Sequence, residues 1–408
     1  MKNARSLLLA ASTLTLLISA CSQAPADLGG PTLEPQFGSA DDDYGSDVTL
    51  TRTQQVFVLS NQEGYIYGEE GYEDGPDKKA LLTLYDASGK KTWSKELASY
   101  TCNWNQWDGC GGSEGLETQT LELDAENNVY ALISTSAVTG DAAILTQNHV
   151  HKVDASGRVV KKVYVGTSGA LLGYDYNARN HLDVAVDEAG AIYVAKAQFS
   201  YNDDTLEGSY QNIIAKYSTG GSLQWQRTSK VGTPKAITVS ESGSVYVVGS
   251  TGISRYGNSG SLTWTKSGGG DDVTISGSGL FVRKGTTIRK YNGSGTQLWA
   301  KTQRGLSSPV IADMTGDTGG NVYLAGKVST ANSNRDAFVR KLSASGSVLW
   351  TKQYGTSNYD AARGVATLDG SAVYTAGATK GSLADKNWGG IDGYVRKVDG
   401  SGNRIWTR

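Results

Sequence analysis

Apolar and polar side chains alternate in short runs along most of the chain. "VYVVGS" (residues 245–250) and "VYLAGK" (322–327) are two such runs, with a valine, then an aromatic, then small apolar residues. Weaker alternating stretches precede them, as in "HLDVAVDEAG" (181–190) and "PKAITVSESG" (234–243). Period-two alternation places one face of a strand in a core, and the Gly, Ser and Asn clusters between the runs predict tight turns. No segment carries the pattern of a long amphipathic helix.

The runs repeat. A residue on one strand, a glycine five positions on and a tryptophan four beyond recur as Lys216-Gly221-Trp225, Arg255-Gly260-Trp264, Lys290-Gly295-Trp299, Lys341-Gly346-Trp350 and Lys397-Gly402-Trp406. Leu84-Gly89-Trp93 and Lys152-Gly157-Lys161 keep the spacing with altered residues. Ahead of each stands one aromatic: Phe57, Tyr130, Tyr193, Tyr246, Phe281, Tyr323 and Tyr374. Each unit therefore predicts four strands, A to D: the alternating run, the aromatic run, the strand before the glycine turn, and the tryptophan strand. Seven such units predict an all-β, seven-bladed propeller of four-stranded antiparallel blades. Its tryptophans are expected to pack blade on blade, and the turns opened by Asp124, Asp187 and Asp317 to close A–B hairpins.

"DAFVRKLSASGSVLWTKQYG" and "DGYVRKVDGSGNRIWTR" each follow a G-x-x-VYxAG strand. In these motifs the chain resembles the seven-bladed β-propeller (SBBP) repeat family of bacterial secreted and surface proteins. The resemblance spans nearly the whole chain after its first segment and is weaker in the first three units. It implies the fold and an extracytoplasmic site, and no defined activity. "QFG" at 36–38 matches the "QYG" that ends the sixth unit, and the ungapped register behind it aligns Phe57 with Tyr374. From this the N-terminal stretch is expected to complete or abut the outer edge of the seventh blade.

The first residues differ from all of this. "MKNARSLLLAASTLTLLISAC" has Lys2 and Arg5, an apolar run, then small residues up to Cys21. That order reads as a secretion signal, and Ile18-Ser19-Ala20-Cys21 resembles a lipobox in which Cys21 becomes the acylated first residue. The expected organisation is a lipoprotein signal over 1–20, a lipidated terminus and Pro/Gly-punctuated tether over 21–35, and the propeller over 36–408. Ser22 after Cys21 points, by resemblance to sorted lipoproteins, to an outer membrane or cell surface.

Composition supports the same picture. The 408 residues include 52 glycines and only 6 prolines, which suits many strands joined by turns needing positive φ. The formal charge is −2, and without Lys2 and Arg5 it is −4. No polybasic segment is present, which argues against a nucleic-acid partner.

Repeated positions are architecture, so specificity is expected where units depart from the repeat. Strands alternate in direction, which puts A–B and C–D turns on one face and B–C and D–A loops on the other. The first set hardly varies; the second varies widely and forms the expected binding face. Its candidates are Tyr65, Tyr67 and Tyr72 among acidic residues in 61–79; Tyr201, Asp203 and Asp204 in 197–211; and Trp104, Trp107 and Asp108 in "TCNWNQWDGCGG" (101–112). Cys102 and Cys110 flank those tryptophans, and in an exported protein they are expected to form a disulfide. Aromatic faces with nearby amides and carboxylates suit a glycan, a peptide or a protein groove, or they pack down as a local lid. His149, His151 and His181 read as strand histidines rather than metal ligands. "DMTGDTGGN" (313–321) and Asp41 to Asp43 lack the full oxygen pattern of a calcium loop. No cofactor or metal is called for, and no catalytic motif is present. The sequence points to a monomeric, membrane-anchored, non-enzymatic propeller that binds an envelope protein or glycan. The alternatives are an envelope-assembly scaffold, a hydrolase on the acidic loops, or a relative of the propeller quinoprotein dehydrogenases, whose vicinal disulfide is missing here.

Overall fold

The computed structural model describes residues 42–67, 73–100, 115–139, 143–171, 182–202, 207–330, 334–384 and 387–408. Among them all regular structure is strand: seven four-stranded sheets, each of four consecutive strands paired antiparallel. Blade 1 holds β1–β4 (43–100), blade 2 β5–β8 (115–171), blade 3 β9–β12 (182–228) and blade 4 β13–β16 (234–267). Blade 5 holds β17–β20 (272–302), blade 6 β21–β24 (310–354) and blade 7 β25–β28 (360–407). The first strand of every blade touches the first strand of the next, and β25 returns to β1. The chain is a seven-bladed β-propeller.

Position in the blade follows from composition. The second strands are apolar and buried around their aromatic residue, and β14 (Val245–Gly249) and β26 (Ala372–Thr379) are buried throughout. The fourth strands, such as β12 (Leu223–Thr228) and β16 (Leu262–Ser267), are exposed except at the tryptophan. Core clusters form at the blade boundaries: Tyr193, Ile214, Val231 and Val247 join blades 3 and 4.

The repeated glycine and tryptophan make one joint between neighbouring blades. Trp225 Nε1 donates to the Asn258 carbonyl at 2.9 Å, Trp264 to Gly293 at 3.1 Å, Trp299 to Ala344 at 3.3 Å and Trp350 to Gly400 at 2.9 Å. Each acceptor lies in the C–D turn of the following blade, whose glycine lies against the indole. A Cβ on Gly260 would stand 2.8 Å from Trp225, and one on Gly346 2.7 Å from Trp299. Blade 2 has Lys161 in place of the tryptophan, and there Val163 fills the space against Gly221. The same indole meets the aromatic of its own second strand, at 6.2 Å between Tyr323 and Trp350.

The hairpin role of the aspartate turns holds as expected. Asp124 Oδ1 accepts from Asn128 N at 2.9 Å, and its Oδ2 from Tyr130 Oη at 3.0 Å; Asp317 does the same for Asn321 and Tyr323.

One expectation is corrected. From residue 42 on, the N-terminal stretch does not complete the outer edge of blade 7; residues 36–41 lie outside the described residues. Residues Asp43–Leu50 form β1, the innermost strand of blade 1, and among the described residues β28 (Arg404–Thr407) is blade 7's outer strand. The aligned register was real but expressed something else. Both matched segments are first strands, with the same bulge at Gly45/Asp47 and at Ala362/Gly364. Contact with blade 7 is made instead by β1 against β25 and β26.

Candidate functional site

The first strands enclose a cavity of about 500 Å³ on the propeller axis. Register fixes which side chains face it. The partner of each second-strand aromatic is Thr49, Glu122, Ala185, Thr238, Thr274, Thr315 or Ala366. Alternation brings the residues next toward the strand start to the same side. There stand Asp47, Asp183, Asp272 and Asp313. The channel is thus a level of four aspartates beside a level of threonines and Glu122.

Three of the aspartates make the same clamp across a blade boundary. Asp47 accepts from its own neighbour Val48 N at 2.7 Å and from Leu121 N of blade 2 at 2.7 Å. Asp183 bonds Val184 N and, in blade 4, Ile237 N, both at 2.9 Å. Asp313 bonds Met314 N and, in blade 7, Val365 N, both at 2.7 Å. Asp272 differs, with Arg283 Nε 3.4 Å from its Oδ2. Burial pushes the carboxyls of Asp183 and Asp313 up to about 7, and the nearby Asp272 adds to both shifts. Asp47 is held well above the usual carboxylate range by burial and by Asp313, and Glu122 by burial and by Asp183. Backbone N–H bonds oppose the shift in the three clamped aspartates and do not overcome it.

The channel is a cup. At the A–B turn side Leu50, Leu123 and Leu368 line both this cavity and a second hollow of about 200 Å³. An Arg52–Glu188 ion pair at 3.0 Å joins two of the turns there. Toward the other face Tyr44 Oη accepts from Asn61 Nδ2 at 2.9 Å, and the Arg363 guanidinium lies 4.3 Å over the Tyr44 ring.

That other face is the decorated one. The second and third strands of blades 1 to 3 run long: β2 (Val56–Tyr67) has 12 residues, and β6 (Val129–Thr139) and β10 (Ile192–Asn202) have 11 each. Their counterpart β14 has 5. At roughly 3.3 Å per residue the long hairpins extend about 20 Å further.

Tyr65 and Tyr67 lie at the far end of β2, and Tyr201 at the far end of β10. Cys21, Tyr72, Cys102, Trp104, Trp107, Asp108, Cys110, His181, Asp203 and Asp204 lie outside the described residues. His149 and His151 share one side of β7 (Ala143–Val153), and burial pushes the His151 imidazole down to about 4. The aspartates of the channel were not singled out from sequence. Their signal is an aspartate ten residues before the unit's aromatic, as in Asp47 and Phe57, Asp183 and Tyr193, Asp313 and Tyr323.

No family model matches the chain, and no curated protein matches it. Solved structures do. A protein of unknown function from Bacteroides caccae is 11% identical with a TM-score of 0.41, over 67% of this chain and 90% of its own. Apo AztD from Citrobacter koseri is 11% identical with a TM-score of 0.45, over 80% and 91%. BBS1N, solved in complex with ARL6DN, is 9% identical with a TM-score of 0.39, over 89% and 91%.

Proposed function

We propose that the protein is an extracytoplasmic binding module without enzymatic activity, held to a membrane through acylated Cys21, that grips an envelope protein or a glycan with its decorated face. The observation that carries this reading is the asymmetry of the disc. One face is built of near-identical short turns over a leucine floor, while the other bears the long hairpins of blades 1 to 3 and the polar mouth of the channel. Variation confined to one face of a repeat scaffold is how such scaffolds diversify what they hold. In this reading Trp104, Trp107 and Asp108 form the anchor in a loop stapled by Cys102 and Cys110. Tyr65, Tyr67, Tyr72, Tyr201, Asp203 and Asp204 supply flanking contacts.

The test uses the full chain in detergent as bait against an envelope extract and against a glycan array, beside a Trp104→Ala/Trp107→Ala variant. A specific protein or glycan held by the first and lost by the second, with equal thermal melts, is the expected result. Retention by both variants moves the site off this loop. No specific protein or glycan held by either sinks the reading.

A further inference from the structure

Charge is sorted by distance from the axis. The chain has 38 basic and 40 acidic residues, so composition imposes no bias. Yet every outer strand carries Lys or Arg: β4 (Lys91–Tyr100), β8 (Val159–Leu171), β12, β16, β20 (Gln297–Thr302), β24 (Val348–Tyr354) and β28. Glu96 is the one carboxylate on these seven strands. The innermost strands show the reverse, with Lys235 and Arg363 their only cations against the channel aspartates and others. In six of seven blades the cation stands two residues beyond the tryptophan: Lys95, Arg227, Lys266, Lys301, Lys352 and Arg408.

Packing explains part of this. The Arg227 guanidinium lies 5.7 Å over Trp225, and its Nε donates to the Gly260 carbonyl at 3.1 Å; Lys301 Nζ is 5.8 Å over Trp299. A long cationic side chain covers the indole with its stem and keeps its head in water. Packing does not explain why the other solvent-facing positions of these strands are aliphatic, as at Leu223, Leu262, Leu298 and Leu349, or Thr, Ser, Gln or Ala, and almost never acidic. Thr263 and Thr265 flank Trp264, and Gln224 and Gln226 flank Trp225; all four are exposed.

We propose that the rim is a docking belt for a linear polyanionic polysaccharide. The cations recur once per blade around a circumference. A flat bilayer touches such a belt along a short arc only, whereas a flexible chain follows it. Duplex DNA, with a persistence length of about 50 nm, is too stiff to follow it. Single-stranded nucleic acid needs open aromatic faces for its bases. Here the indoles of Trp225 and Trp299 are taken, between the next blade's glycine turn and a cationic stem. The exposed hydroxyls and amides between the cations suit sugar hydroxyls.

The probe is dextran sulfate, with uncharged dextran of equal length as control, titrated against the full chain in detergent. Dextran sulfate binds, dextran does not, and raising NaCl from about 0.05 to about 0.3 M weakens binding tenfold or more, because rim charges are screened. Two variants, Lys95→Gln/Lys162→Gln and Lys266→Gln/Lys301→Gln, avoid the rim arginines that bridge blades. Each loses severalfold in affinity with unchanged melting, and the combination loses at least tenfold. The proposal falls if dextran sulfate fails to bind, if the combined variant binds as tightly, or if a dT oligonucleotide binds more tightly than dextran sulfate. None of these outcomes depends on the decorated face, whose own test uses different variants.

Discussion

The glycine of each C–D turn meets two demands with one missing carbon. At Gly346 φ is +77°, a region where a Cβ is costly, and the indole of Trp299 occupies the place the Cβ would take. The two costs add because relieving one requires moving the strand that the other fixes. Gly346→Ala is therefore expected to lower stability by roughly 2–3 kcal/mol, read from the urea midpoint. Gly293 lies in the equivalent turn of blade 5 with open space around its Cβ position and no positive φ. Gly293→Ala should stay within about 0.5 kcal/mol. Equal effects at the two sites would show that neither the positive φ nor contact with the tryptophan sets the cost.

The first strands carry the pH response. Asp183 and Asp313 keep their protons up to about pH 7 in the folded chain, while an exposed aspartate loses its proton near 4. Between those values the folded state binds more protons than the unfolded one, so these groups' contribution falls as pH rises. It is present in full below about pH 4 and gone above about pH 7, on the order of a few kcal/mol per carboxylate. Asp47 and Glu122 act in the same direction. His151 opposes them: held neutral by burial down to about pH 4, it costs stability as pH falls below its ordinary value. The informative measurement is therefore a difference. Melting temperature followed from pH 4 to 8 should decline less steeply in Asp183→Asn/Asp313→Asn than in the parent chain. Parallel curves for the two proteins would mean that these carboxyls titrate normally.

At the scale of the whole molecule, the fold was legible because a propeller writes its packing rule seven times. The glycine-to-tryptophan spacing that predicts the turn is the spacing that seats one blade's turn on its neighbour's indole. Blade order, the hairpin role of Asp124 and Asp317, and the plain and decorated faces all follow from strand alternation. The channel was not legible in the same way. Asp47, Asp183 and Asp313 lie far apart in sequence and look like ordinary strand aspartates until the ring closes and sets them facing one cavity. Closure itself was misread, because first strands resemble one another wherever they stand. The ring is shut by the ordinary joint, made once between the ends of the chain. Trp406 Nε1 donates to the Ala87 carbonyl at 3.3 Å, Arg408 Nε to Gly89 at 2.9 Å and Lys397 Nζ to Ala87 at 3.0 Å. A single core cluster joins Leu50 and Val58 of blade 1 to Tyr374 and Trp406 of blade 7. Removing residues 404–408 takes away this joint and bares the edge of β27 (Asp392–Asp399), an unpaired row of backbone groups that invites pairing with another chain. Trp225→Ala weakens the equivalent interior joint and bares no edge. Calorimetry should give a lower melting temperature for both. Sedimentation velocity should give new, faster species for the truncation alone. A truncated chain that sediments like the parent would mean that β1 against β25 and β26 suffices to close the ring.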